Sequence, residues 1–347
     1  MRRWLGGALW TGFLLTVLLP GSVGAAPSLR EQICETARQE GTVHILTNVR
    51  EVADPLEKVL GGKFPWLRVR AITDVAAPTR AVVEAQAGRH EHDVFAYSLP
   101  GVLPAHERGL LASFSDQEIQ AFGIHPGTRL LGGAALSGWT FVHTVAYDAR
   151  RVRAEEAPRR WEDLLNPKWR GRLVGSISAL TNGVAAVGLL LGEAWAFDFV
   201  RKLRDEVKVT STPSPALALQ LVLQGEKDLL WSGIETTLER RERAREPINW
   251  TPVSPTYAAR FVLAVFRNAP HPNAARCAAL WLASREGKTA LEEASYSTSD
   301  AAPGSPTRVR KEVERYRIRV FFENVESARR RLELYGRLLP VLQGQVR

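Results

Sequence analysis

The 347-residue sequence predicts an α/β protein of two lobes joined by two crossing strands. Three observations carry that expectation. Helical and short apolar strand patterns alternate from residue 29 to residue 98, the arrangement that builds a parallel-type sheet. Two runs rich in β-formers, 139–147 (WTFVHTVAY) and 260–266 (RFVLAVF), stand far apart and bracket a segment with helices of its own. The chain is also longer than one hydrophobic core usually supports. A segment inserted between two long strands means that the chain leaves one lobe, builds a second and returns, so the strands are the expected hinges.

Residues 1–25 are set apart first. Arg2 and Arg3 precede an apolar run, and Pro20-Gly21 then leads to the small residues Val23-Gly24-Ala25. That is the pattern of a cleavable secretory signal, and the mature chain is expected to be exported. The remaining divisions are 26–138 with 262–307 as the first lobe, 148–250 as the second, 139–147 and 251–261 as hinge segments, and 308–347 as a C-terminal helical extension.

In the first lobe, Leu29, Ile33 and Ala37 give a helix one apolar face, and Gly41 stops it. The strand 42–46 ends at Thr47 and Asn48. A helix over 54–60 leads through Phe64-Pro65-Trp66 to a strand over 67–72, and a helix over 79–87 precedes the strand 93–96, which ends at Tyr97 and Ser98. A short helix is expected over 104–111, and Ser115 with Glu118 three residues on forms a capping pattern.

The stretch 158–183 (PRRWEDLLNPKWRGRLVGSISALTNG) opens the second lobe. Trp161, Leu164 and Leu165 mark one helix face, and Asn166-Pro167 ends it because a residue before proline is pushed out of the α region. A strand over 172–176 then runs into Ser176, Ser178, Thr181, Asn182 and Gly183. Hydroxyls and an amide at a helix N-terminus suit a ligand, although Thr181 or Asn182 could equally be an N-cap. Helices follow over 185–204, 214–224 and 235–245. After the second hinge come a helix over 272–284, an irregular polar loop over 295–307, and an arginine-rich tail. In that tail Leu332, Leu334, Tyr335, Leu338 and Leu339 supply an apolar stripe.

Composition is that of an ordinary globular protein, with 45% hydrophobic and 24% charged residues. The formal charge of +9 falls to +7 once Arg2 and Arg3 are removed. Basic residues sit beside acidic ones, as in Arg240-Arg241-Glu242-Arg243, which is how solvated helix faces look, and no nucleic-acid module accompanies them. No nucleic-acid partner is expected. Cys34 and Cys277 could pair in an oxidising compartment, yet each also fits the apolar face of a helix.

No Walker loop, G-x-S-x-G elbow, H-E-x-x-H or paired C-x-x-C occurs, so neither an enzyme nor a cofactor is expected. His90-Glu91-His92-Asp93 is metal-like in composition, but neighbours on an extended chain point to opposite sides. The quartet is not expected to act as a ligand set.

Several segments resemble the periplasmic solute-binding components of ABC transporters, in the subgroup that includes iron(III)-, thiamine-, polyamine- and phosphonate-binding proteins. They are ARQEGTVHILTN, AQAGRHEHDVFAYS, ERGLLASF, VAYDARRV, APRRWEDLLNPKWRGRL, LVLQGEKDLLW and NAPHPNAARCAALWLASREGKTAL, in the family's order from Ala37 to Leu291. The resemblance implies a type II periplasmic-binding-protein fold: two lobes that close over a solute and deliver it to a membrane ABC permease, with the protein a monomer. By position it puts the pocket on Thr47, Asn48, Tyr97, Ser98, Ser176, Thr181, Asn182, Trp231, Ser232, Glu235 and Tyr257. All lie off strand ends or at hinges, where ligands of open α/β sheets bind.

Iron-binding members resemble one another in adjacent tyrosines shortly after a G-E motif. Here the matching region reads Trp231-Ser232-Gly233-Ile234-Glu235, and none of the six tyrosines adjoins another. A ferric ion wants phenolate and carboxylate oxygens, so a small polar solute is expected instead. Helix N-termini and hydroxyls favour an anionic group such as a phosphonate, phosphate ester or carboxylate, whereas an inward Glu235 would favour an amine. A ferric-iron carrier, the ligand-binding input of a membrane sensor kinase and an exported hydrolase are the alternatives.

Overall fold

A computed structural model describes residues 27–74, 76–297 and 308–346. The expected signal over 1–25 lies outside the described residues, as does 298–307 of the polar loop.

Helix α1 (Leu29–Glu40) opens with a Ser28–Glu31 capping box and ends at Gly41, whose φ of 62° is left-handed. Strand β1 (Thr42–Thr47), α2 (Arg50–Lys63), β2 (Arg68–Thr73), α3 (Ala77–Gln86), β3 (Val94–Ser98) and α4 (Leu99–Glu107) follow in alternation. The helix expected over 104–111 starts earlier, at Leu99, because Pro100 suits a first helical turn. Then come α5 (Asp116–Ala121), capped by the anticipated Ser115–Glu118 pair, and β4 (Arg129–Leu130). Strand β5 (Ala135–Asp148), fourteen residues long, carries the chain out of the first lobe.

In the second lobe the WEDLL stretch forms a five-residue 3₁₀ turn rather than an α-helix, and Asn166 caps a second such turn over Pro167–Trp169. Next are β6 (Leu173–Ser176) and α6 (Ile177–Leu191). Gly192, at φ 102°, separates α6 from α7 (Glu193–Asp205), so the single helix expected over 185–204 is two. After β7 (Thr210–Thr212), α8 (Pro215–Leu223), β8 (Leu229–Ile234), α9 (Glu235–Arg243) and β9 (Ile248–Pro252), the chain returns on β10 (Thr256–Val265). It closes with α10 (Pro272–Ala283), α11 (Arg285–Ser295), α12 (Arg308–Arg315), β11 (Val320–Phe322) and α13 (Val325–Leu342).

The strands run in the order β2-β1-β3-β10-β5-β8-β6-β7. Strands β1, β2 and β3 are mutually parallel, and β10 lies antiparallel to β3. The first half of β5 pairs with β10, up to Val142 opposite Ala258, and the second half pairs with β8 and β9. One continuous strand therefore belongs to both halves of the molecule, and β10 crosses beside it. These two are the crossing strands that the sequence anticipates.

Side chains sort by strand periodicity. Val145, Tyr147, Leu229 and Trp231 enter one second-lobe core, while Val142, Ala146, Leu230 and Trp250 enter another on the opposite face. Burial on both faces explains why these strands read as nearly continuous apolar runs. The first-lobe core gathers Val43, Ile45, Phe95, Leu263 and Trp281. Within it Cys34 of α1 and Cys277 of α10 are disulfide-bonded across 243 residues of sequence. Closing so long a loop stabilises a fold by about 2–5 kcal/mol.

The C-terminal segment is integrated into both lobes. Strand β11 pairs with β10 beside Tyr257. Helix α13 contributes Ala328 to the first-lobe core and Leu334, Leu338, Val341 and Leu342 to the second. Arg329 bridges to Glu107 on α4 at 3.0 Å, and Arg337 to Glu193 on α7 at 2.7 Å. Of the anticipated stripe, Leu334 and Leu338 are buried and Leu332 is 45% exposed.

Candidate functional site

Strands β1 and β3 end side by side, and their C-terminal ends carry the four first-lobe candidates. Thr47 is buried, and its hydroxyl accepts a long 3.4 Å bond from Val49 N–H. Asn48 is half-buried, with its Oδ1 enclosed and without a hydrogen-bond partner among the described residues. Tyr97 is buried and donates to the Asp74 carbonyl at 3.3 Å; burial first, then the Asp74 charge, push its hydroxyl up to about 12. Ser98 precedes α4 and gives that helix no side-chain cap.

In the second lobe, Ser176 is the N-cap of α6, its Oγ accepting from Ala179 N–H at 3.2 Å. Thr181 lies inside α6 and donates to the Ile177 carbonyl four residues back, at 2.7 Å. Neither Thr181 nor Asn182 caps the helix. Asn182 accepts a 2.8 Å bond from Arg331 of α13. Trp231 is packed into the lobe core, 4.3 Å from Trp161 between ring centroids. Ser232 occupies β8. Tyr257 is fully buried at the hinge, donating to Glu323 at 3.0 Å with Ser327 Oγ at 3.3 Å, and burial raises its pKa well above the ordinary phenol value.

Glu235 is different. It is the first residue of α9 and 1% exposed. Its Oε2 accepts from Val142 N–H of the crossing strand at 3.0 Å, and its Oε1 is buried without a partner among the described residues. Burial pushes the carboxyl up to about 8, with only partial relief from the backbone N–H groups of Glu235 and Val142. At neutral pH the group is therefore mainly the acid, a hydrogen-bond donor. Thr236 beside it is fully buried, and its Oγ1 also lacks a partner among the described residues.

The next residues of α9 join the two lobes. Thr237 donates to Glu51 Oε1 of α2 at 3.0 Å, and Arg240 donates to the Glu51 carbonyl at 2.7 Å. Asn48 stands three residues before Glu51, and Thr236 one before Thr237, so unpartnered buried polar atoms flank the interlobe joint from both sides. Among them, Asn48 and Glu235 are legible from their places after strands. Thr236, Thr237, Arg240 and Glu51 are missed by sequence reasoning because charged helix faces look solvated; the N-terminal position of Thr236 is the one signal that could have singled it out.

Two α/β lobes, two crossing strands and polar groups gathered where the lobes meet define the architecture of a periplasmic binding protein. The chain belongs to the bacterial extracellular solute-binding protein family, whose model matches residues 138–317. In fold it is similar to iron-bound HitA from Pseudomonas aeruginosa, with 18% identity and a TM-score of 0.68 over 86% of this chain and 99% of that one. It is likewise similar to AfuA from Actinobacillus pleuropneumoniae with fructose-6-phosphate bound, at 17% identity and a TM-score of 0.69 over 88% and 99%. The apo ferric ion-binding protein A of Pasteurella haemolytica matches at 12% identity and a TM-score of 0.67 over 88% and 97%. No curated protein matches. Among the described residues, no helix is long and apolar enough to cross a membrane.

Proposed function

We propose that the chain, exported and cleaved after about residue 25, binds a small polar solute between its lobes as a monomer and delivers it to an ABC permease. The solute is a hydrogen-bond acceptor at one end, such as a phosphonate, phosphate ester or carboxylate, and carries a hydroxyl or amine at the other. The observation that carries this reading is the pair of buried groups at the start of α9 without partners among the described residues, Glu235 Oε1 and Thr236 Oγ1. A protonated carboxyl and a hydroxyl at a helix N-terminus donate to an oxygen-rich group, and the helix end adds about 0.3–1 kcal/mol per charge. Micromolar binding needs about 8 kcal/mol, so side chains and lobe closure supply the greater part. Asn48 Oδ1, an acceptor, suits the solute's hydroxyl or amine, and Ser98 is a further donor or acceptor on that side. Ser176 and Thr181 have their hydroxyls engaged within α6, Trp231 is packed in the second-lobe core and Tyr257 is bonded to Glu323, so these four are proposed as framework rather than as contacts.

A ferric ion is less well served. Tyr97 and Tyr257 have their phenol pKa values raised and their hydroxyls engaged, whereas iron asks for phenolate. A thermal-shift screen over phosphonates, sugar phosphates, polyamines, thiamine and ferric citrate tests the reading. A shift with an oxygen-rich anion, weakened about tenfold in affinity by Thr236→Val, is expected; no shift with any member, or a shift with ferric citrate alone, overturns it.

A further inference from the structure

Four of the chain's seven histidines, His44, His90, His92 and His271, come together at the edge of the first lobe opposite the interlobe joint. His44 lies in β1, and Asp93 immediately before β3. His271 is the residue before α10. A ring nitrogen from each histidine and a carboxylate oxygen of Asp93 lie within 4.8 Å of one another. The His44 and His271 rings meet edge to face, with centroids 5.5 Å apart. Strand β3 separates this cluster from Ser98, and five residues at about 3.3 Å each make that separation about 17 Å.

One hydrogen bond and one close approach set the two imidazoles as ligands. His44 Nδ1 is 3.2 Å from the Glu91 carbonyl, which can only accept, so the proton sits on Nδ1 and Nε2 keeps its lone pair. His271 Nδ1 is 3.0 Å from Asp93 Oδ2, so His271 presents this nitrogen to the carboxylate, and an ion shared by the two takes the place of the proton between them. A histidine whose other nitrogen donates to a carbonyl, as His44 does, is the arrangement that orients metal-binding imidazoles. Asp93 is fully buried and fixed by the backbone N–H groups of His44 and His271, each at 2.7 Å. Those bonds alone explain Asp93 as a clamp between β1 and the start of α10. They do not explain why two imidazoles converge on it, nor why Glu84, His90, Glu91 and His92 line a hollow alongside.

We propose that His44, Asp93 and His271 form a divalent-metal site on the outer edge of the first lobe, separate from the solute site. Two imidazoles and one carboxylate suit Zn²⁺, Ni²⁺ or Cu²⁺, whereas Mg²⁺ and Ca²⁺ ask for oxygen ligands throughout. The ligands come from β1, the entry to β3 and the loop before α10, so the ion fastens together the three segments that frame the first-lobe core. Asp93, the last residue of the HEHD quartet, finds its partners from distant segments.

The test uses the untagged mature chain, stripped with a chelator, titrated with Zn²⁺ against a chromophoric indicator and melted with and without the ion. One equivalent bound, a raised melting temperature and no competition from Mg²⁺ in excess are expected. His44→Gln and His271→Gln should each weaken Zn²⁺ at least tenfold, while His106→Gln on α4 should not. Substoichiometric binding, displacement by Mg²⁺, or unchanged affinity in both ligand variants overturns the site. The stoichiometry of the parent chain decides the matter even if a variant does not fold.

Discussion

Arg331 of the C-terminal helix donates to Asn182 of α6 at 2.8 Å while its Nε and other terminal nitrogen hold Glu323 Oε1 at 2.9 and 2.7 Å. Glu323 in turn accepts from Tyr257 of the crossing strand, and from Arg260 N–H at 3.0 Å. A residue near the chain's end thus ties the second lobe to the hinge. Arg331 and Glu323 are almost wholly buried, so their partnership cannot be judged as a surface ion pair. Breaking such a pair by removing one partner costs about 3–5 kcal/mol, because the other charge is left desolvated.

Arg331→Met is therefore expected to destabilise the protein by about that much, and Asn182→Ala by about 1.5–3 kcal/mol, since it removes one hydrogen bond to a charged group. Urea melts of the mature chain measure both. Equal and small losses would mean that Arg331 is a solvated surface residue.

Glu235 predicts a pH dependence. Its carboxyl is raised from 4.5 to about 8 by burial, so the folded state holds the proton more tightly than the unfolded chain does. Its contribution to stability is fully present below about pH 4.5 and is lost as pH rises through about 8, at up to about 1.4 kcal/mol per pH unit. His143, also buried, is pushed the other way, from 6.5 to about 4, by burial and then by the Arg331 charge. A histidine kept neutral costs stability as pH falls from about 6.5 to about 4. Stability relative to Glu235→Gln should accordingly decline from pH 5 to 8; a parallel pair of stability curves would refute the assignment.

Two glycines give opposite expectations for the same substitution. In a helix interior Ala is favoured over Gly by about 1 kcal/mol. At Gly61 of α2 nothing lies within 4 Å of an added Cβ, so Gly61→Ala should stabilise. At Gly183 of α6 the Cβ would stand 2.7 Å from Trp231 Cζ2, and Trp231 is pinned against Trp161. Overpacking costs about 1–3 kcal/mol, which exceeds the helix gain, so Gly183→Ala should lower the melting temperature. Two stabilised variants would show that the Trp231 ring can move aside.

The lobes and crossing strands were legible because hydrophobic periodicity and chain order are local properties. Gly41, the Ser115–Glu118 cap and the two long strands announce themselves within a few residues. Of the proposed polar constellation, the sequence could single out only residues placed just after a strand, Asn48 and Glu235. Serine and threonine cap helices or bind ligands with the same oxygen, so Ser176 and Thr181 could not be sorted without knowing their partners. Arg331 looked like one more arginine of a basic tail; its meeting with Asn182, 149 residues away, is a property of the fold. His44 and His271 likewise became neighbours of Asp93 only through β-sheet order and the loop before α10.

The bonds from Thr237 and Arg240 to Glu51 exist only while the two lobes touch. A contact present in a closed arrangement and absent from an open one shifts the equilibrium between them by its own free energy. A hydrogen bond to a charged group contributes about 1.5–3 kcal/mol net and a neutral one about 1 kcal/mol, and each 1.4 kcal/mol is about a factor of ten in affinity when closure accompanies binding. Thr237→Val and Arg240→Met together should therefore weaken solute binding about tenfold or more. Solution scattering should show the solute-free variant more extended than the parent, while its urea midpoint changes little, since both residues stand at the seam rather than in a core. Unchanged affinity together with an unchanged scattering radius would mean that these bonds do not govern closure, and that Glu235 and Thr236 alone hold the second lobe against the solute.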